Sequence, residues 1–244
     1  GFFLRELCRL EEAETALRKA IAVAPGHLPA YAGLTGVLDE LGRLDDAVTV
    51  SRNALEIAPD NAELHHNLGL QLQRAGDFAG AAEALGRAAE MAPRAPEIRN
   101  NLANVLMELG DMEAAEASFR EAVRLKPDYS VAWQNLGSLL AKIWRPEEAV
   151  ESFRQALTHD PQIVQAYVNL AAALNLLERQ SEAAEVARQA IALAPETPEA
   201  HNNLGVALRT LGDHAGAEAA YRKAIQVDPR DTTGHSNLIF SLDF

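Results

Sequence analysis

Cysteine is almost absent from the chain: Cys8 is the only one in 244 residues. No intrachain disulfide can form, which fits a reducing compartment. Positive charge is also short. Lys and Arg total 22 against 35 Asp and Glu, for a formal net charge of −13 and a pI near 5.0. A nucleic-acid or anionic-membrane partner calls for a basic face, so neither is expected. No apolar run approaches the roughly 18 residues of a membrane-spanning helix, and no secretory signal is visible, which points to a soluble cytoplasmic protein. Neither a glycine-rich phosphate loop nor a nucleophile motif occurs. Catalytic residues, metal ligands and cofactors are therefore not expected, and the chain reads as a non-enzyme. Aromatics make up only 5% although 48% of residues are hydrophobic, much of that alanine. That mix suits closely packed helices. Arg greatly outnumbers Lys, which points to a GC-rich bacterial source.

What the chain has is a period. Pro25, Pro59, Pro93, Pro127, Pro161, Pro195 and Pro229 are spaced by 34 residues throughout. A fixed period of this length marks a repeat architecture, in which each unit is one supersecondary element stacked on the next. With the proline numbered as position 32, complete repeats are 28–61, 62–95, 96–129, 130–163, 164–197 and 198–231. A partial repeat, 1–27, precedes them, and a partial helix, 232–244, follows.

Position 7 is leucine at Leu34, Leu68, Leu102, Leu136, Leu170, Leu204 and Leu238. Position 11 is leucine from Leu4 through Leu242. The two are i, i+4 on one face of a first helix, A, often joined by an aromatic at position 4 (Tyr31, Trp133, Tyr167). Glycine at position 15 (Gly42, Gly76, Gly110, Gly212) frees the backbone to end helix A. Asp111 and Asp213 then follow as caps for a second helix, B. Helix B carries alanine at position 20, Ala13 through Ala217, and at position 27, Ala20 through Ala224. These small residues mark a stripe where a neighbouring helix comes close. Position 24 is often bulky (Leu17, Leu85, Phe119, Phe153, Tyr221). The proline at 32 stops helix B. Trp144 and Glu178 replace the turn glycine, and His65, Arg99, His201 and His235 hold the aromatic slot.

This pattern resembles the tetratricopeptide repeat over the whole chain. The resemblance implies an all-α fold, a TPR α-solenoid in which antiparallel helix pairs wind into a right-handed superhelix. It also implies a protein–protein interaction scaffold that binds an extended peptide or protein segment in a concave groove lined by A helices.

Away from the leucine face run positions 2, 6, 9 and 13. Position 6 is Asn67, Asn101, Asn135, Asn169, Asn203 and Asn237, broken only by Gly33, and Asn104 adds an amide at position 9. Asparagine is a poor helix former, so local propensity does not explain the series. An amide both donates and accepts, so it can hold the backbone of an extended peptide. Helices pack about 8–10 Å apart and a strand rises roughly 3.3 Å per residue, so one Asn would serve about every third peptide residue. The other reading is structural, with the amides linking neighbouring A helices.

The resemblance also covers a carboxylate clamp that some family members use for chaperone tails, with Lys or Arg at positions 2, 5 and 6; here positions 2 and 5 hold Glu63, Glu97, His66 and Asn100 among others, and position 6 the asparagines. The histidines are scattered over the repeats, too far apart for zinc, which needs all its donors within about 2.1 Å, and His65, His201 and His235 read as slot fillers. The asparagine ladder, with the stretch from His235 to Phe244, resembles the repeat arm of protein O-linked N-acetylglucosamine transferases at its junction with the catalytic domain. That resemblance implies an acceptor-recruiting arm. The alternative is a free-standing scaffold acting through its convex face or its ends. Phe2, Phe3, Ile239, Phe240 and Phe244 at the ends lead to an expectation of end-to-end self-association.

Overall fold

The computed structural model describes residues 9–230 and 232–242, apart from the side chain of Leu242. The readings that rest on Phe2, Phe3, Leu4, Cys8, Asp243, Phe244 and the Leu242 side chain lie outside the described residues. The described residues form fourteen α-helices and no strand. They fall into two compact units, Gly1–Leu125 and Lys126–Phe244.

In the first unit, α1 (Leu10–Val23), α3 (Leu44–Ile57), α5 (Phe78–Met91) and α7 (Met112–Leu125) are B helices. They alternate with the A helices α2 (Leu28–Glu40), α4 (Ala62–Arg74) and α6 (Pro96–Glu108). In the second unit the A helices are α8 (Ser130–Lys142), α10 (Val164–Leu176), α12 (Pro198–Thr210) and α14 (Thr232–Leu242). Its B helices are α9 (Pro146–His159), α11 (Gln180–Leu193) and α13 (His214–Val227). Within each unit every helix packs on its neighbours in sequence, and A helices also touch the next A helix, as α4 does α6 and α10 does α12. Each unit is thus an all-α solenoid of stacked helix pairs.

The turns repeat one design. Helix A ends with an N–H five residues on returning to the carbonyl of the position-11 leucine, as in Arg43 N to Leu38 O at 2.9 Å and Asp213 N to Leu208 O at 2.9 Å. This closure needs a left-handed residue at position 15, and Gly42, Gly76, Gly110 and Gly212 have φ between 73° and 86°. Trp144 and Glu178 take the same conformation without being glycine, at φ 61° and 56°. Asp111 caps α7 by accepting from Ala114 N, and Asp213 caps α13 by accepting from Gly216 N. Asp77 does the same for α5 through Gly80 N. Proline opens α6, α9 and α12, where its missing N–H costs nothing.

The slot at position 4 has a chemical rationale. The indole N–H of Trp133 donates to Pro127 O at 2.8 Å. His65 and His201 reach Pro59 O and Pro195 O at 2.8 Å, and His235 reaches Pro229 O at 3.1 Å. Histidine replaces tryptophan here because both carry a ring N–H that ties helix A to the turn before it. Position-20 alanines are fully buried in both units, from Ala13 to Ala217. Glycine at position 8 of helix A meets the large side chain at position 24 of helix B: Gly69 lies on Leu85, Gly137 on Phe153 and Gly205 on Tyr221.

Candidate functional site

The residues singled out in the sequence sit on the A helices, where α2, α4 and α6 line one face of the first unit and α8, α10, α12 and α14 one face of the second. All six position-6 asparagines are half-buried, and several are already engaged. In the first unit the Asn101 amide donates to His66 Nε2 of the preceding A helix at 2.8 Å, while its Oδ1 accepts from Asn100. In the second unit Asn203 Nδ2 donates to the main-chain carbonyl of Val168 at 3.0 Å. Asn169 Nδ2 donates to Ser138 Oγ at 3.3 Å, and its Oδ1 accepts from Gln165 at 2.9 Å. These three amides join neighbouring A helices. An amide has two N–H groups and two acceptor lone pairs, so Asn203 keeps capacity for a further partner. The side-chain amides of Asn67, Asn104 and Asn237 form no hydrogen bond among the described residues, and the structure brings Asn135 to the same register on α8.

Two cavities open between consecutive A helices, one in each unit and both at the same place in the repeat. The first, about 460 Å³, lies between α2 and α4 over α3 and is bordered by Asn67. The second, about 370 Å³, lies between α8 and α10 over α9 and is bordered by Asn169. The second is lined mainly by Ala141, Phe153, Ala172 and Leu176 with Ser138. The first has a polar floor. Ser51 Oγ donates to Gln71 Oε1 at 2.8 Å and lies 3.4 Å from Thr35 Oγ1. At its rim Arg74 pairs with Asp39 at 2.5 Å.

This floor escaped the sequence reading, although a signal was present. Position 24 is polar only at Ser51, where the next copies have Leu85, Phe119 and Phe153. Position 8 is Thr35 where they have Gly69, Ala103 and Gly137, and position 10 is Gln71 against Val37, Val105 and Leu139. Three polar departures fall on three helices and meet.

Burial holds the His66 imidazole below its ordinary pKa, against the opposing pull of Glu97 and Glu63. An amide N–H can only donate, so His66 accepts at Nε2 and carries its proton on Nδ1. Among the described residues no three His, Cys, Asp or Glu side chains converge to hold a metal ion, and no helix is long and apolar enough to cross a membrane.

Stacked helix pairs with small-residue seams and hollows between their A helices define a helical-repeat protein of the binding-module type. The chain belongs to the tetratricopeptide repeat family, whose profiles match residues 5–69, 66–130, 135–196 and 181–232. It is similar in structure to the C-terminal part of a TPR repeat-containing protein from Cytophaga hutchinsonii, with TM-score 0.75, 18% identity and 97% of each chain covered. PilF of Pseudomonas aeruginosa matches with TM-score 0.74 and 20% identity over 89% of this chain and 97% of its own. YrrB, described as a TPR protein with an unusual peptide-binding site, matches with TM-score 0.67 and 19% identity over 76% of this chain and 96% of its own. At these identities the likeness is one of fold. No curated protein matches the chain.

Proposed function

We propose that the chain is a protein-interaction module in which the A-helix face of a unit holds an extended segment of another protein. The observation that carries this reading is the recurrence of a cavity at one place in the repeat, each time beside a position-6 amide, Asn67 or Asn169. A hollow that recurs with its flanking hydrogen-bonding group is what an extended ligand needs, since its backbone requires partners and alternate side chains require space. The peptide-binding site described for YrrB, on a similar fold, supports it. The finer reading is that this module recruits the acceptor protein for an O-glycosyltransferase. Its support is the asparagine ladder together with the resemblance of the stretch from His235 to Phe244 to the arm–catalytic junction.

Asn67 provides the test because it has no internal partner to lose. Random dodecapeptides are displayed, and binders are selected on the intact protein. Asn67→Ala is expected to weaken those seated on the first unit about two- to tenfold, the effect of about 0.5–1.5 kcal/mol for one hydrogen bond. Fold stability should hold or rise, since alanine is the better helix former. A lowered melting temperature with unchanged affinity would assign Asn67 to structure and remove the ladder reading. The recruiting role is tested separately by the reading frame beyond Phe244: a glycosyltransferase domain there supports it, and any other domain or a stop codon ends it.

A further inference from the structure

The first cavity carries more information than a hollow for an extended chain. Thr35, Ser51 and Gln71 are 7%, 4% and 4% exposed. The Ser51 proton goes to Gln71 Oε1, so the Thr35 hydroxyl is left to donate to Ser51. The chain of donors ends at the Gln71 amide, whose Nε2 has no partner among the described residues. That nitrogen is not one of the fully buried unpartnered atoms, so it opens onto the cavity, where a ligand acceptor can take the place of water; other repeats put apolar residues at these positions. The rim is equally specific. Arg74 pairs with Asp39 through Oδ2, which leaves Asp39 Oδ1 buried without a partner: an entering carboxylate meets Asp39, an entering ammonium group meets Arg74, and a neutral N–H donor finds an acceptor.

We infer that this cavity is a subsite for a neutral primary carboxamide, the side chain of an asparagine or glutamine in the bound segment. A carboxamide offers one acceptor and two donors, so it pairs with the Gln71 amide whichever way that amide's oxygen and nitrogen are turned. It brings no charge to disturb the Asp39–Arg74 pair, and Ala54 and Leu64 of the lining receive its methylene groups. The subsite rests on the groove reading above and adds a side-chain preference to it.

The test uses the same dodecapeptide library with two variants of the intact protein. Thr35→Gly/Ser51→Leu/Gln71→Val installs residues the chain already uses at these positions, at Gly69, Leu85 and Val105. Gln71→Met removes only the amide while keeping its length, and remains informative if the triple variant fails to fold. Binders are expected to share Asn or Gln at one fixed position. Replacing it with norleucine should cost about tenfold in affinity for the unaltered protein and nothing for either variant. Binders with no such position, or with Tyr, Arg or Asp there, or an equal loss in the variants, would overturn the subsite and leave the groove intact. A library that yields no binder at all removes the groove reading, and the subsite with it.

Discussion

His66 and Asn101 are coupled through a single hydrogen bond of 2.8 Å between adjacent A helices of the first unit. That bond needs a neutral imidazole, because a protonated Nε2 has no lone pair to accept with. Burial lowers the folded-state pKa of His66, against the raising influence of Glu97 and Glu63. The neutral form is therefore favoured in the native state, and the unfolded chain takes up the proton first. The stability His66 contributes is fully present above its unfolded pKa of about 6.5 and is lost as pH falls from there through the lower folded value. Urea midpoints between pH 8 and pH 5 should decline more steeply for the unaltered protein than for His66→Gln, whose amide can still accept but does not titrate. Parallel curves would exclude the coupling. Glu178 presents a different kind of strain. It stands at φ 56° where four other repeats have glycine. Relief of the left-handed conformation is worth about 1–2 kcal/mol, and the greater freedom of glycine in the unfolded chain offsets about 0.4–1 kcal/mol. Glu178→Gly is expected to raise stability by about 0.5–1 kcal/mol in equilibrium denaturation, and a loss would show that the turn is held by the side chain.

At the scale of the helix, the seam between A and B is set by what glycine leaves open. A Cβ on Gly137 would stand 2.7 Å from Cδ1 and Cε1 of Phe153, whereas one on Gly86 in α5 would meet nothing within 4 Å. Alanine gains about 1 kcal/mol of helix propensity over glycine at either place. At Gly137 overpacking of about 1–3 kcal/mol opposes that gain and should win. Gly86→Ala should therefore melt higher and Gly137→Ala lower than the parent, and two shifts of the same sign would reject the seam. These helix pairs were legible in the sequence because they are marked redundantly, by leucines four apart, by a stopping proline and, in four complete repeats, by a turn glycine. Trp144 and Glu178 were placed at turns by register alone, since neither has turn chemistry of its own. The asparagines were legible as a series but not in their direction. Whether a position-6 amide faces a ligand or the preceding helix depends on the distance between helices, which no local pattern encodes. At Asn101, Asn169 and Asn203 the preceding helix receives the bond. The polar floor was missed because Thr35, Ser51 and Gln71 are each unremarkable alone, and they become a cluster only when 16 and 20 residues of chain fold back on themselves.

At the scale of the whole molecule the dominant quantity is charge. The chain carries a net −13, and Glu63 and Glu97 in the first unit and Glu199 in the second stand exposed in the first turns of their A helices. Such a field acts over about a Debye length, roughly 10 Å at 0.1 M salt, so it reaches an approaching ligand before any contact forms. It speeds encounter far more than it tightens the final complex, because the exposed carboxylates stay hydrated in both states. The two sides of the affinity should therefore separate experimentally. A selected dodecapeptide flanked by lysines is expected to associate about tenfold faster at 10 mM than at 150 mM salt, and faster than the same peptide flanked by glutamates. Its dissociation rate, set by the cavities and the amides beside them, should change little with salt or flank. Stopped-flow fluorescence resolves the two rates directly. Association rates indifferent to salt and flank would show that the acidic surface plays no part in recruitment, and a salt-dependent dissociation rate would place the carboxylates inside the bound interface.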